Sequence, residues 1–263
     1  MSIAEYINEL LSQEEYSFSW EELQKKSTKT KSSLINELSR LVDKKQVVNL
    51  RQGFYLIIPP RYSKIKTLPI NLYIDKLFKY LGKDYYLGLY TAAKFYGASH
   101  QQIQKDYVIA ALPSNHNIKK HNIVIDFFNI STWPSRNVIK KKSDAGYFNV
   151  SSPALTMADL IHHHPKIGGI NRMLAILEEL TEELKLDDIN DLLLWYPYKS
   201  TIQRMGYFLE LLSVDKVLIN PFYNYFKNKK YFPVLLSPKK GQKAGRVDNK
   251  WKVDVNIDLD SDL

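Results

Sequence analysis

The sequence predicts an α+β protein, with an N-terminal winged helix-turn-helix followed by a larger mixed α+β domain. Three observations predict it. The stretch from Thr28 to Pro59 reads as one amphipathic helix followed at once by two short strands around a basic turn, the layout of a recognition helix and its wing. Beyond residue 70, helical and β-rich runs alternate irregularly, as segregated helices and strands do in an α+β domain. The third observation is charge. Residues 1–23 hold six acids and no Lys or Arg, whereas residues 24–66 hold eleven basic residues against Glu37 and Asp43. The basic block coincides with the helix and wing, the footprint of a nucleic-acid surface.

Length and composition set the bounds. The chain has 263 residues, 44% of them hydrophobic, with net charge +9, so one large or two ordinary domains with a sizeable core are expected. Cysteine is absent, which excludes disulfides, thiolate zinc sites and a Cys nucleophile and suits a cytoplasmic protein. The start MSIAEYINELL has acids and no basic segment, unlike a signal peptide. No run approaches the roughly 18 apolar residues of a membrane span, so no membrane partner is expected.

In chain order, Ile3, Ile7, Leu10 and Leu11 at helical spacing give a helix over 3–12. Ser19 before Trp20-Glu21-Glu22 forms a capping box for a second helix ending near Lys26. The third helix starts at Thr28 or Thr30 as N-cap. At about 100° per residue its inner face collects Leu34, Ile35, Leu38, Leu41 and Val42. VVNL and GFYLII are the wing strands, with Arg51-Gln52-Gly53 as the turn between them. The expected domains are 1–60, a linker at 61–69 containing Arg61, Lys64 and Lys66, and 70–263.

The second domain opens with helices expected at 71–81 and 84–96, the latter closed by Gly97 as a C-cap. Tyr86, Tyr90 and Tyr96 there read as core. Strands follow at 107–112, 121–128 and 147–150, separated by basic turns at Lys119-Lys120 and Lys140-Lys141-Lys142. Ser152 and Pro153 start a further helix as N-cap and first residue. Helices at 170–184, 187–195 and 199–213 come next, the last carrying Arg204 and Glu210. Aromatic residues from Phe222 to Phe232 suggest a return to strand. The final run from Trp251 alternates Val253, Val255, Ile257 and Leu259 with Asp254, Asn256, Asp258 and Asp260, a half-buried strand with one polar face.

The residues assigned to DNA follow from these elements. Lys29, Lys31, Ser32, Ser33, Asn36 and Arg40 lie on the outer face of the third helix, facing the major groove. Asn36 is the choice for a base contact, because an amide pairs bidentately with adenine. Lys44 and Lys45 are placed on phosphates. Arg51 and Gln52 are placed in the neighbouring minor groove or on its phosphates from the wing.

Other chemistry is weaker. Asp254, Asp258 and Asp260 beside Lys250 and Lys252 resemble part of a divalent-metal nuclease site, but they lack the spaced acid, acid-x-Lys pattern. His162-His163-His164 are adjacent on a helix and diverge by about 100°, so they do not converge on one metal. Gly168-Gly169 lies in neither a Walker nor a dinucleotide-binding pattern and reads as a backbone device. No cofactor is expected. A ligand-responsive winged-helix regulator is the main alternative, and a metal-dependent DNA nuclease the next.

Four segments also resemble the AbiEi-type antitoxins and transcriptional regulators of bacterial abortive-infection, type IV toxin–antitoxin systems. They are RQGFY at 51–55, YYLGLYTAAKFYG at 85–97, GYFNVSSPALTMADLIHHHPKIGGINRMLAIL at 146–177 and KWKVDVNIDLD at 250–260. The resemblance implies a non-enzymatic, phage-defence protein that binds inverted repeats in its own promoter DNA and represses its operon. It also implies a C-terminal domain that counteracts a co-encoded nucleotidyltransferase-like toxin without forming a stable complex.

Overall fold

The computed structural model describes residues 1–65, 67–98, 105–239 and 241–259. It is mixed α+β, and its chain divides into two compact units. The first comprises Met1–Tyr86, Gln104–Ser131 and Lys140–Asn149; the second comprises Leu87–Ile103, Thr132–Ile139 and Val150–Leu263. This division follows packing, whereas the expected boundaries at 60 and 70 follow chain order.

The first unit begins with α1 (Ile3–Ser12), β1 (Ser17–Ser19), α2 (Trp20–Lys26), α3 (Lys31–Asp43), β2 (Val47–Arg51) and β3 (Phe54–Ile57). Capping boxes at Ser2/Glu5 and Ser19/Glu22 start α1 and α2, and Thr30 caps α3, each satisfying amides that the first helical turn leaves unpaired. Ile3, Tyr6, Leu10, Phe18, Leu23, Leu34, Leu38, Val47 and Ile57 form the local core. β1, absent from the sequence reading, is three residues long and pairs with β3. It is too short to show a period and exists through its partner. β2 and β3 form an antiparallel hairpin whose register shifts between Asn49 and Arg51.

The chain continues through α4 (Ile74–Leu81), β4 (Tyr85–Leu87), β5 (Asp106–Ala111), β6 (Ile118–Lys120), β7 (Ile123–Ile130), β8 (Val138–Ser143) and β9 (Gly146–Ser151). These strands form a sheet of order β6-β7-β5-β4-β9-β8. β5 and β7 run parallel in continuous register, and β6 pairs antiparallel with β7. Two corrections arise here. Lys119-Lys120 and Lys140-Lys141-Lys142 lie in β6 and β8 rather than in turns. Both are edge strands, where lysines discourage pairing with another chain. The helix expected over 84–96 is instead strand β4, then α5 (Leu89–Lys94). Gly88 separates the two, and Gly97 lies in the turn beyond the helix with φ +75°.

The second unit is mainly helical, with α5, α6 (Pro153–Ile167), α7 (Ile170–Thr181), α8 (Leu186–Trp195), α9 (Lys199–Leu211) and α10 (Lys216–Lys227). Ser152 caps α6 through the Leu155 amide, with Pro153 in the first turn as expected. Gly168 and Gly169 follow with φ +114° and +88°, the backbone role read for them. The strand expected around Phe222 is α10: Ile219, Phe222 and Phe226 are buried at helical spacing, and that tertiary burial overrides aromatic strand propensity. Among the described residues, the tail pairs only as β10 (Val234–Leu235) with β11 (Val253–Asp254), in parallel. Trp251 and Val253 are buried, but Val255 is 44% exposed, so the expected alternation ends where pairing ends. Among the described residues, no helix is long and apolar enough to cross a membrane.

Candidate nucleic-acid interface

α3 carries the candidate interface. Leu34 and Leu38 anchor it in the core, and Leu41 and Val42 pack partly against it. Lys31, Ser32, Ser33, Asn36 and Arg40 are all exposed. Among the described residues, Lys31, Asn36 and Arg40 make no side-chain hydrogen bond or ion pair, so their donors are available. Ile35 is a correction: expected inside, it is 49% exposed. One residue beyond Leu34, it turns onto the flank and lines an open groove with Trp20, Lys31, Asn49 and Tyr55. Asn49, exposed on β2, is a candidate the sequence reading passed over. Its signal was a lone polar residue in VVNL.

The other assigned residues divide. Lys29 is exposed, but its Nζ lies 2.7 Å from Glu37 Oε2, while Glu37 Oε1 accepts from the Ile3 amide at 3.0 Å. Lys29 thereby joins a clamp between α3 and the start of α1. Lys44 and Lys45 are exposed just after α3, Lys45 at φ +58°. Gln52 is exposed in the turn between β2 and β3.

Arg51 turns inward. Its Nη2 donates to the His116 carbonyl at 2.6 Å, and its guanidinium sits 5.4 Å from the Phe127 ring centre. Burial holds it below the usual arginine range. The β2–β3 turn itself is pinned: the Trp20 amide donates to the Gly53 carbonyl at 2.7 Å, and Tyr80 Oη donates to the Gln52 carbonyl at 3.1 Å. Phe54 and Tyr80 rings meet at 5.3 Å. In the expected linker, Arg61 donates to Tyr16 Oη at 2.7 Å and lies 3.6 Å from Asp144. Lys64 is exposed, and Lys66 lies outside the described residues.

In the second unit the three histidines have different partners, although the His162 and His163 rings meet edge to face at 4.6 Å. His162 Nδ1 lies 3.2 Å from Thr201 Oγ1, and its ring stacks on Tyr198 at 4.1 Å. His164 Nδ1 donates to the Ile161 carbonyl at 2.7 Å. Burial lowers all three, His163 to about 3, with His162 and Lys166 adding repulsion there. Tyr86 and Tyr90 are buried, and Tyr96 Oη donates to the Ser151 carbonyl at 2.7 Å. Asp254 Oδ2 accepts from the Gly245 amide at 2.8 Å, Asp258 is exposed, and Asp260 lies outside the described residues. Among the described residues, no three His, Cys, Asp or Glu side chains converge to hold a metal.

Comparison with known proteins bears on this second half. Residues 86–211 match the model of the AbiEi antitoxin C-terminal domain family. The resemblance to AbiEi-type antitoxins read from the sequence is thereby shown, and with it a domain of toxin–antitoxin antitoxins. Among solved structures, the chain is similar to the RV2827C protein from Mycobacterium tuberculosis, with TM-score 0.61 and 13% identity over 94% of this chain and 89% of that one. A likeness at that identity speaks for fold alone. An antigenic nucleotidyltransferase-like protein from Paracoccidioides brasiliensis matches at TM-score 0.35, 10% identical over 59% of this chain and 94% of that one, too low to carry an argument. No curated protein matches the chain.

Proposed function

We propose that this antitoxin-type protein is a cytoplasmic DNA-binding repressor of its own operon. Residues 1–60 act as a winged helix-turn-helix, and the C-terminal domain at 70–263, which contains the matched residues 86–211, counteracts a co-encoded nucleotidyltransferase-like toxin without a lasting complex. The supporting observation is the outward face of α3, where Lys31, Asn36 and Arg40 are exposed and internally unpaired above a core-anchored Leu34/Leu38 face. Such a helix presents an amide for a base edge and cations for phosphates. Lys44, Lys45 and Gln52 flank it on the exposed surface. Arg51 is set apart from this interface, because its Nη2 serves the His116 carbonyl and its guanidinium lies over the Phe127 ring. Lys29 contributes less than its charge suggests, being paired with Glu37.

The antitoxin half of the reading rests on the family assignment and has a growth test. The neighbouring gene is expressed alone and with this chain. Growth arrest by the neighbour, relieved by this chain, supports the reading; a harmless neighbour, or arrest that persists, contradicts it.

A further inference from the structure

We propose that the second unit holds a binding site for the phosphoryl group of a small metabolite, built around Arg204. The inference stands apart from the DNA and antitoxin readings. A shallow cavity of about 430 Å³ is lined by Arg204 of α9, by Val234 and Leu235 of β10, and by Lys239, Gln242 and Lys243 of the following segment. Arg204 is only 8% exposed. Its Nε donates to the Leu235 carbonyl at 2.9 Å, which fixes the guanidinium plane at the cavity wall. Among the described residues, its Nη nitrogens have no hydrogen-bond partner and the group has no carboxylate.

A buried guanidinium without a counter-charge is costly, and an arginine does not escape by losing its proton at neutral pH. Burial alone, with no acid opposing it, pulls Arg204 down to about 10, so it remains a cation. The residues around the cavity do not neutralise it. They add two more cations, Lys239 and Lys243, and an amide, Gln242. A planar fork with free Nη donors and flanking ammonium groups matches a tetrahedral oxyanion: the fork takes two oxygens side by side, while each lysine supplies a point charge. The cavity's volume exceeds that of a bare phosphate and falls within the range of small-ligand sites. This points to a phosphorylated small molecule such as a nucleotide.

The test uses the full chain with inorganic phosphate and with ATP as probes, by calorimetric titration at constant ionic strength. Wild type is expected to bind at least one probe. Lys239→Ala/Lys243→Ala changes only exposed side chains and is expected to weaken binding at least tenfold, and Arg204→Gln is expected to remove it. ATP binding tighter than phosphate assigns a nucleotide as the source; equal affinity assigns the phosphoryl group alone. The proposal is overturned if neither probe binds, if the double lysine variant keeps wild-type affinity, or if only a 5′-phosphorylated oligonucleotide binds.

Discussion

Asn36 and Arg51 show how far side-chain environment separates residues that look alike in sequence. Both belong to the basic helix-and-wing stretch, yet one is exposed and unpaired and the other is turned onto Phe127. Asn36→Ala is therefore expected to lower discrimination between operator and scrambled duplex by about 1–3 kcal/mol, read by fluorescence anisotropy; equal loss on both duplexes would remove Asn36 from base readout. His163 gives a pH prediction. Its folded-state pKa of about 3 lies below the ordinary 6.5, so the native state favours the neutral ring. Its contribution is complete above pH 6.5 and is lost as pH falls from there toward 3, because the unfolded chain takes up a proton the folded chain refuses. The loss is up to about 1.4 kcal/mol per pH unit for one such group. Denaturant melts from pH 7 to 5 are expected to show falling stability, with a shallower fall in His163→Gln. A slope unchanged by that substitution would contradict the assignment.

At the scale of elements, the β2–β3 turn and α9 each depend on a glycine. Gly53 has φ +74°, and an added Cβ would lie 2.6 Å from Tyr80 Oη. Gly53→Ala is expected to cost about 1–3 kcal/mol in denaturant melts; an unchanged midpoint would show the β2–β3 turn to be free of Tyr80. Gly206 in α9 lies against the Trp251 ring, which an added methyl would overlap, so Gly206→Ala is expected to cost a similar amount or more. Wild-type stability in that variant would contradict the packing of the tail on α9. The elements legible in the sequence were those with local signals: the capping box at Ser19, Thr30, Ser152-Pro153 and the 3.6-residue periods of α1 and α3. The elements misread were fixed by partners distant in the chain. β1 exists through β3, and α10 is helical because Phe222 and Phe226 find a core. The edge lysines of β6 and β8 look like turn residues until the strand order is known.

For the molecule as a whole, the exposed polar face of α3 was largely legible, because amphipathic period and charge coincide there. The inward course of Arg51 was not, since His116 and Phe127 lie more than sixty residues away along the chain. Residues 86–211 match the AbiEi antitoxin C-terminal domain, and the N-terminal residues are proposed to read DNA. That reading is the central claim. The measurement that tests it most directly is titration of the full chain against duplex from its own upstream region over a range of salt concentrations, with Lys31→Ala/Asn36→Ala/Arg40→Ala alongside. Wild type is predicted to bind that duplex more tightly than a scrambled one. The triple variant is predicted to lose the preference and to flatten the salt slope by roughly 2, since each phosphate contact contributes about 0.9. A triple variant that keeps wild-type affinity, preference and slope would contradict the account.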